Sequence, residues 1–453
     1  MSGIRNTLEI ARSALVSSQV ALDVTGNNIA NANTEGYSRR RAIMESESQR
    51  TAQNFVIGKG VIVSRIERVR DQYIETQLRT QQQSLSYWET LQTKYARLED
   101  IFTEPSEAGL GEMMNKFFDS WQGLATDPQS YTARSNVLQK ANSLASKFRT
   151  TAKHISDLKD EIRSEFNNQL EKFNSLAEQL AEINIQLPLS TEQAADLLDR
   201  RDNLLMQMNK IANVQTMENE YGQVTISLGG KVLLENSKVV KLVEASADEP
   251  LNTLHWEDNS RASKASNGQL AALARFHDET LQDYSDQLDE LATSLVEGVN
   301  ELHKTGYGLE GSTNVNFFDP STTGAADIQV SSEVADNAEK IAVSADGNRG
   351  NGEIARQIAQ LVNDSSMVNN SFSFHDYYGT TIARLGNEVQ DTTVKLDGQK
   401  MLVNQIRTHQ ESASGVSLDE EMTNLIQFQR AYQAAAKLIN VVDEMMDTIL
   451  RMV

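Results

Sequence analysis

Three stretches of the sequence combine residue types and spacings that could support chemistry, and the first is GYGLEG. Its glycines, Gly306, Gly308 and Gly311, match the G-x-G-x-x-G pattern of dinucleotide-binding loops. Such a loop follows a strand and opens a helix, because the helix N-terminus binds the pyrophosphate. Here a helical pattern comes before the glycines, and the extended stretch STNVNFFDP comes after them. This order favours a loop that ends a helix over a cofactor site.

The second stretch, DGNRGNGE at residues 346–353, has the beginning of a calcium-binding loop. Calcium loops of this type place oxygen ligands at alternate positions and a bidentate glutamate at the twelfth. Gly350 stands at a ligand position and Gln357 stands at the twelfth. The stretch is therefore interpreted as a flexible turn.

The remaining residues form no catalytic or metal-binding motif. The six histidines are scattered without metal-ligand spacing, and His277 with Asp278 and Glu279 is most simply a polar helix face. Neither a nucleophile elbow nor a P-loop occurs. We therefore expect no catalytic residue, no metal and no cofactor, and a protein that is not an enzyme. An active site built from residues far apart in sequence is the alternative, which a pocket of converging titratable groups would support.

The third stretch, TGNNIANANTEGYSRR, covers residues 25–40 and is rich in asparagine. Asparagine side chains compete for backbone hydrogen bonds, so they favour helix ends and turns. We expect the cluster to end the first helix and to turn the chain, with its amides bonded to the last helical carbonyls and to neighbouring subunits. Tyr37 is expected to anchor the turn by packing. An ordinary solvated loop without an interface role is the alternative.

Composition excludes several classes of partner. The formal net charge of −21 argues against duplex DNA or an anionic membrane as the main partner. Basic residues concentrate only at 39–41 and at Arg65, Arg68 and Arg70, which we interpret as solvated faces or local ion pairs. There are no cysteines, and no apolar run approaches the roughly 20 residues of a membrane span. The N-terminus lacks the pattern of a cleaved signal peptide, so any secretion is expected to proceed without cleavage.

Both ends of the chain have the apolar spacing of long amphipathic helices. Leu8, Leu15, Leu22 and Ile29 are seven residues apart, which is typical of the narrow seam of a coiled coil. Near the C-terminus, apolar residues recur every three or four positions; they include Leu425, Phe428, Tyr432, Ile439, Val442, Met446 and Ile449. We expect these two helices to pair with each other.

Between the two ends the sequence predicts long helices and one small β region. Residues 129–187 contain neither proline nor glycine, which permits a continuous helix of about 90 Å. A further helix is expected over roughly 380–411. Val224, Ile226 and Leu228 alternate before two glycines, as in a β-hairpin. Residues rich in Gly, Asn, Ser and Asp follow position 304 and predict loops with at most short strands.

The predicted fold class is mainly α with a small β part (α+β), in an elongated chain with discontinuous domains. The expected domains are a terminal coiled coil from residues 1–70 and 405–453, a long-helix bundle from 71–210 and 261–404, a small hairpin-rich β subdomain at 211–260, and a loop-rich segment at 304–352.

The asparagine-rich stretch resembles the N-terminal signature of the bacterial flagellar axial proteins, the family of rod, hook and hook-associated proteins. The matching residues are Asn27, Asn28, Ile29, Ala30, Asn31, Thr34, Gly36 and Tyr37. Three later segments occur in the family's order and are similar to its hook-associated members: LLDRRDNLLMQMNKI at 197–211, the stretch 267–311, and GVSLDEE at 415–421. Longer relatives insert outer domains in the second half, where this chain has only a short loop-like stretch between Phe318 and Ile341.

This resemblance implies an extracellular structural protein at the junction between hook and filament, exported by the flagellar type III pathway. Implied partners are other copies of the chain in a ring, hook protein below, hook-associated protein 3 above, and an export chaperone on the C-terminal helix, with no nucleic acid and no membrane insertion. The predicted subunit-interface residues are Leu8, Leu15, Leu22, Asn27, Asn28, Ile29, Asn31, Thr34, Gly36, Tyr37, Leu425, Phe428, Tyr432, Ile439, Val442, Met446 and Ile449. The alternatives are another axial protein (hook-associated protein 3, hook or distal rod) and a secreted coiled-coil protein of the translocon type.

Overall fold

Long helices dominate the chain, which is described by a computed structural model. The described residues are 2–34, 36–50, 56–102, 104, 106–189, 194–244, 246, 249–258, 260, 265–368 and 371–452. The helices are α1 (Ser2–Ala30), α2 (Gln72–Phe102), α3 (Leu110–Thr126), α4 (Tyr131–Gln186), α5 (Ala194–Ile211), α6 (Gln269–Arg275), α7 (Leu281–Thr305), α8 (Ser332–Asp336), α9 (Glu353–Gln360), α10 (Phe374–Ser414) and α11 (Leu418–Met452). The strands are β1 (Arg40–Arg50), β2 (Val56–Arg68), β3 (Val214–Glu218), β4 (Val224–Leu228), β5 (Lys231–Glu235), β6 (Lys238–Val239), β7 (Leu242–Val243) and β8 (His255–Trp256). The predicted mainly α fold with a small β part is confirmed.

Helix α4 shows how the sequence produces such length. Ser130 caps its N-terminus, where the hydroxyl oxygen accepts a hydrogen bond from the Ala133 N–H at 3.2 Å. Buried apolar residues such as Phe148, Ile155 and Ile162 then recur on one face. No proline or glycine interrupts the 56 residues before the turn at Pro188. The continuous helix expected between the two prolines is therefore confirmed.

The helices α2 to α7, α9 and α10 enclose one apolar core, which a cluster of aromatic rings fills at one end. There Trp121 on α3 stands edge-on to Phe317, with ring centroids 5.1 Å apart. Phe117 packs against both Phe317 and Phe318. The loop that follows α7 is thus held on the bundle by its aromatic side chains.

The β region packs on the side of α4. Strands β3 to β6 form an antiparallel sheet in sequential order, and β7 pairs with β8. The predicted hairpin is β4–β5, whose turn contains Gly229 and Gly230 with φ of 58° and 88°. Asn184 of α4 fixes the sheet, because its amide donates to the Val224 carbonyl at 2.8 Å and accepts from the Val224 N–H at 2.9 Å.

The segment after α7 consists mainly of loops, but it also contains a short helix that the sequence did not predict. Ser331 caps the N-terminus of helix α8, where its hydroxyl accepts a hydrogen bond from the Val334 N–H. Gly306 ends α7, and Tyr307 bridges to Ser344. The GYGLEG motif is therefore a loop that ends a helix, as predicted, and Asp346 of the calcium-like stretch accepts hydrogen bonds within its own turn.

The two ends of the chain meet in one structure, which we call the terminal unit: α1, α11 and the hairpin β1–β2. Helices α1 and α11 lie against each other, and β2 packs on α1. Ser17 of α1 donates a hydrogen bond to the Val61 carbonyl at 2.9 Å. The hairpin was not predicted from the sequence. Its first strand, RRAIMESESQR, is too polar to show a clear apolar alternation, and the pairing has two register shifts.

Candidate functional site

Three motifs that are far apart in the sequence meet at the base of the terminal unit. They are the asparagine-rich stretch, the LLDRRD motif at the start of α5 and the GVSLDEE motif at the start of α11. Their polar side chains form one network with Arg68 of β2 and with Arg70, and we call it the ionic cluster. Its members are Asn28, Tyr37, Ser38, Arg39, Arg40, Arg68, Arg70, Asp196, Asp199, Arg201, Asp202, Glu420 and Glu421.

Asn28 is the centre of the cluster on the side of the terminal unit, and it is only 1% exposed. Its amide nitrogen donates to the Arg40 carbonyl at 2.8 Å and to a Glu421 carboxylate oxygen at 3.0 Å. Its amide oxygen accepts from the Arg40 N–H at 2.9 Å and from the Tyr37 hydroxyl at 2.8 Å. One buried side chain thus joins the end of α1 to the start of β1 and to α11.

The other asparagines act locally at the end of α1. The Asn31 amide donates to the Asn27 carbonyl at 3.0 Å, which satisfies a helix-terminal acceptor. Thr34 in turn donates to the Asn31 side-chain oxygen at 3.2 Å. Tyr37 anchors the turn by its hydrogen bond to Asn28 and by a cation–π contact of its ring with Arg40 at 5.1 Å. Burial raises the pKa of the Tyr37 hydroxyl, so it remains a donor at neutral pH.

Glu421, the last residue of the GVSLDEE motif, connects the start of α11 to the N-terminal part of the chain. Its carboxylate is 2% exposed and lies 2.8 Å from the Arg39 guanidinium. A second nitrogen of Arg39 lies 2.9 Å from Glu420. A buried carboxylate is stable only when it is paired and hydrogen-bonded, and Arg39 with Asn28 supplies both requirements. The first turn of α11 is therefore held by the N-terminal part of the chain.

Two aspartates of α5 complete the cluster from the other side. Asp199 and Asp202 are three residues apart and so lie on one face of the helix. Asp199 accepts from the Ser38 hydroxyl at 2.5 Å and pairs with Arg68 at 3.1 Å. Asp202 pairs with Arg68 and Arg70.

The charges around Asp202 decide its protonation. Burial acts to raise the pKa of its carboxyl, but Arg201, Arg70 and Arg68 outweigh burial and hold the pKa below its ordinary value. Asp202 is therefore ionised at neutral pH. Arg39 and Arg40 of the first basic concentration form local ion pairs, and so do Arg68 and Arg70 of the second. This is one of the two interpretations that the sequence left open.

The predicted interface residues fall into two groups by burial. Leu15, Leu22 and Ile29 of α1 are half-buried, as are Leu425, Phe428, Tyr432 and Ile439 of α11, whereas Val442 is buried. Leu8, Met446 and Ile449 are exposed. Asn27, Thr34 and Gly36 lie exposed on the turn, and Asn31 is half-buried.

Helix α11 also carries apolar side chains that its pairing with α1 leaves uncovered. Met445 is 52% exposed and Leu450 is 72% exposed. The other exposed apolar residues of this helix are Leu418, Met422, Ile426, Leu438, Val441, Met446 and Ile449. We call this set the outer face of α11. These residues form two groups, at 418–426 and at 438–450, and exposed apolar groups on a folded protein mark a contact with another molecule.

A second buried polar group lies in the bundle, where His303 occupies the last turn of α7. The His303 Nδ1 donates to the Val315 carbonyl at 2.7 Å, and its Nε2 accepts from the Ala342 N–H at 2.8 Å. Burial lowers the pKa of His303 to about 4, so the ring is neutral at physiological pH. The imidazole thereby holds together two parts of the loop-rich segment, one at Val315 and one at Ala342.

The described residues offer little support for other chemistry. They contain no group of three or more His, Cys, Asp or Glu side chains arranged to hold a metal ion. His277 contacts Asp278 at 2.8 Å, and Asp278 accepts from the Leu251 and Asn252 N–H groups, which is a structural role. None of the helices, over the part of the chain that is described, has the length and apolar character to cross a membrane.

Sequence reasoning found the asparagines of the site but missed its charged residues. Arg39, Arg40 and Asp199 lie within quoted motifs, but no local pattern shows which charges will meet across 150 residues or more. One signal could have indicated them: each of the three motifs carries charged residues that the local helix or turn does not explain, which favours distant ion-pair partners.

Comparison with known proteins relates the chain to flagellar proteins along most of its length. The family described as the flagellar hook-associated protein FlgK helical domain matches residues 95–318. The families described as flagella basal body rod protein and as flagellar basal body rod FlgEFG protein C-terminal match residues 8–37 and 410–452.

Curated relatives match over almost the whole chain. A protein named flagellar hook-associated protein 1 from Bacillus subtilis (strain 168) is 28% identical, with 98% of this chain and 97% of the relative covered. A protein of the same name from Escherichia coli (strain K12) is 24% identical, with 97% of this chain and 98% of the relative covered.

A solved structure shares the fold. It is the flagellar hook junction protein FlgK from Burkholderia pseudomallei, with a TM-score of 0.67 and 16% identity, covering 74% of this chain and 99% of that chain.

Proposed function

We propose that the chain, which is similar to flagellar hook-associated protein 1 over almost its whole length, is a structural component of the flagellum and forms the ring that joins hook to filament. Flagellin would polymerise on this ring. The observation that supports the proposal most strongly is the terminal unit, in which the segments that match flagellar rod-protein families at the two ends of the chain fold together and leave the outer face of α11 uncovered.

The outer face provides a physical reason for assembly. Burying one large apolar side chain contributes about 1.5–3 kcal/mol, so several such residues offer enough free energy to hold neighbouring copies together. A contact between this face and a different surface of the next copy is heterologous, and repeated heterologous contacts generate rings or tubes. The terminal unit would line the inner tube, as the predicted domain at residues 1–70 and 405–453 implies.

The remaining domains would lie outside the tube. The long-helix bundle at residues 71–210 and 261–404 and the β subdomain at 211–260 would form the outer body of each subunit. The loop-rich segment at 304–352 would occupy the place where longer relatives carry outer domains. The predicted interface residues would contact neighbouring copies, except that Asn28 and Val442 act through their own chain because they are buried there.

The proposed route is export through the flagellar type III pathway to a location outside the cell. The chain has no cysteines, so no disulfide has to be reduced before passage through a narrow channel. An export chaperone would cover Met445, Met446 and Leu450 of the C-terminal helix before secretion. Hook protein would contact the ring from below, and hook-associated protein 3 would contact it from above.

A deletion strain tests this function. Electron micrographs should show hooks without filaments, and a blot of the growth medium should detect flagellin monomers. Complementation with the intact gene should restore filaments, which is the matched control. Absent hooks would instead indicate a rod or hook component, and intact filaments would refute the junction role.

A further inference from the structure

Four large apolar side chains are exposed together at one end of the helical bundle. Leu189 and Met217 are 81% and 75% exposed, the two highest values for a large apolar residue in the described part of the chain. Ile185 and Tyr221 are also more than half exposed. Single exposed apolar side chains are common on folded proteins, but a group of them marks a contact with another molecule.

Hydrogen bonds bring these residues to one place, although they come from the end of α4 and from the hairpin β3–β4. The Gln223 side chain donates to the Asn184 carbonyl at 2.7 Å, so the β3–β4 turn touches the end of α4. Arg201 of the ionic cluster donates to the Gly222 carbonyl of the same turn. The group therefore lies beside the ionic cluster, close to the terminal unit.

Acidic residues accompany this apolar group. Glu182 on α4 and Glu220 in the β3–β4 turn are both exposed. The nearby Glu218 pairs with Arg201 at 2.9 Å, whereas Glu182 and Glu220 form no ion pair within the described part of the chain. We call this surface the bundle patch, and its members are Glu182, Ile185, Leu189, Met217, Glu220 and Tyr221.

The hairpin β1–β2 carries an apolar surface with the opposite charge. Met44, Ile62 and Ile66 are exposed apolar residues of its two strands. Arg65, next to Ile66, is exposed and forms no ion pair with any residue that the structure describes. Arg41 is also exposed and has only a long contact, 3.7 Å, with a glutamate of β2. We call these five residues the hairpin patch.

We propose that the hairpin patch of one copy docks on the bundle patch of the next copy. Both patches are exposed in the single chain, so neither covers the other there. Apolar residues would form the centre of the contact, with arginines opposite glutamates at its rim, which is the usual arrangement of a subunit interface. Because the two surfaces differ, the contact is heterologous and can repeat around a ring. The inference rests on the proposed function, which places many copies side by side.

Charge reversal with rescue tests this contact in cells of the deletion strain. Arg65→Glu should lower the number of filaments per cell, and so should Glu182→Arg with Glu220→Arg, because repulsion replaces attraction and weakens each contact about threefold to tenfold. The triple variant has opposite charges again and should recover most of the filaments. The matched control, Glu171→Arg, reverses another exposed glutamate of α4 and should leave the number unchanged.

Cross-linking identifies the molecule that covers the bundle patch. The chain has no cysteines, so Arg65→Cys with Glu220→Cys places one thiol in each patch. A bis-maleimide added to isolated hooks and filaments should link neighbouring copies into a ladder of oligomers on a denaturing gel, whereas each single variant should stay monomeric. The control pair, Arg65→Cys with Tyr131→Cys at the exposed start of α4, should give no ladder.

Several results would overturn the inference. Normal filament numbers in both charge reversals, or a triple variant that recovers nothing, show that these charges do not face each other. The absence of a ladder excludes the contact, and a linked product that contains a different protein assigns the bundle patch to that protein. The proposed function fails differently, because the deletion strain then keeps its filaments or loses its hooks. If only this inference fails, the deletion still gives hooks without filaments.

Discussion

The clamp at His303 makes the stability of the bundle depend on pH in a way that can be calculated from the structure. The neutral ring donates through Nδ1 to Val315 and accepts through Nε2 from Ala342. A protonated ring has no acceptor, so protonation would direct an N–H at the Ala342 N–H inside a dry core. We therefore consider the variant His303→Gln, which retains one donor and one acceptor but does not titrate.

The sign and size of the effect follow from the two pKa values. The pKa of His303 is about 4 in the folded chain, against an ordinary value of 6.5. Above 6.5 the imidazole is neutral in both folded and unfolded chains, so pH has no effect through this group. As the pH falls from 6.5 towards 4, the unfolded chain gains a proton that the folded chain does not, and stability is lost. At pH of about 5 the loss amounts to about 2 kcal/mol.

Urea unfolding followed by circular dichroism at pH of about 7 and about 5 measures this loss. The free energy of unfolding of the parent should fall by about 2 kcal/mol more than that of His303→Gln over this interval. His154→Gln, at an exposed position on α4, is the matched control and should behave as the parent. Equal losses in the parent and in His303→Gln would refute the reasoning. If His303→Gln does not fold, an NMR titration of the His303 ring in the parent must still show it neutral at pH of about 5.

Three further predictions concern assembly and packing. Asn28→Ala removes the two hydrogen bonds to the Arg40 backbone and one of the donors to the Glu421 carboxylate, which keeps its pair with Arg39, at about 1–3 kcal/mol for each buried group left unsatisfied. Cells with this variant should therefore show fewer filaments per cell in micrographs than cells with Asn33→Ala. Equal numbers would contradict the role of the buried amide. Gly352→Ala would place its methyl group against the Ala125 carbonyl oxygen of α3 and should lower the free energy of unfolding by about 1–3 kcal/mol. Its control, Gly123→Ala, has open space around the new methyl group and should be neutral or slightly stabilising. A neutral Gly352→Ala would show that the turn at Gly352 separates easily from α3. Met446→Asp on the outer face of α11 should abolish filament formation without changing the thermal midpoint of the purified chain, and filaments of normal number would exclude this face as a subunit contact.

Features that depend on local sequence could be predicted. The length of α4 follows from the absence of proline and glycine and from a regular apolar stripe. The β4–β5 hairpin follows from alternation and from two glycines that adopt positive φ. The end of α1 follows from asparagine chemistry, since the Asn31 amide bonds the Asn27 carbonyl.

Features that depend on distant partners could not be predicted. The β1–β2 hairpin is stabilised by packing on α1, as in the hydrogen bond from Ser17 to Val61, and this tertiary contact overrides the weak propensity of a polar strand. Glu421 is buried only because Arg39 and Asn28, nearly 400 positions earlier, surround it. A charged residue in a single sequence gives no indication of such a partner, so the asparagines of the site could be named and its ion pairs could not.

The location of the chain within the flagellum tests the central proposal most directly. Ala345→Cys places one thiol at an exposed position of the loop-rich segment in a chain that has no other cysteine. Maleimide-coupled gold on intact flagella, imaged by electron microscopy, then shows where the chain is built in, and unlabelled parent flagella serve as the control. The account predicts a single band of gold at the boundary between hook and filament. Gold along the hook, along the filament or at the rod would contradict it.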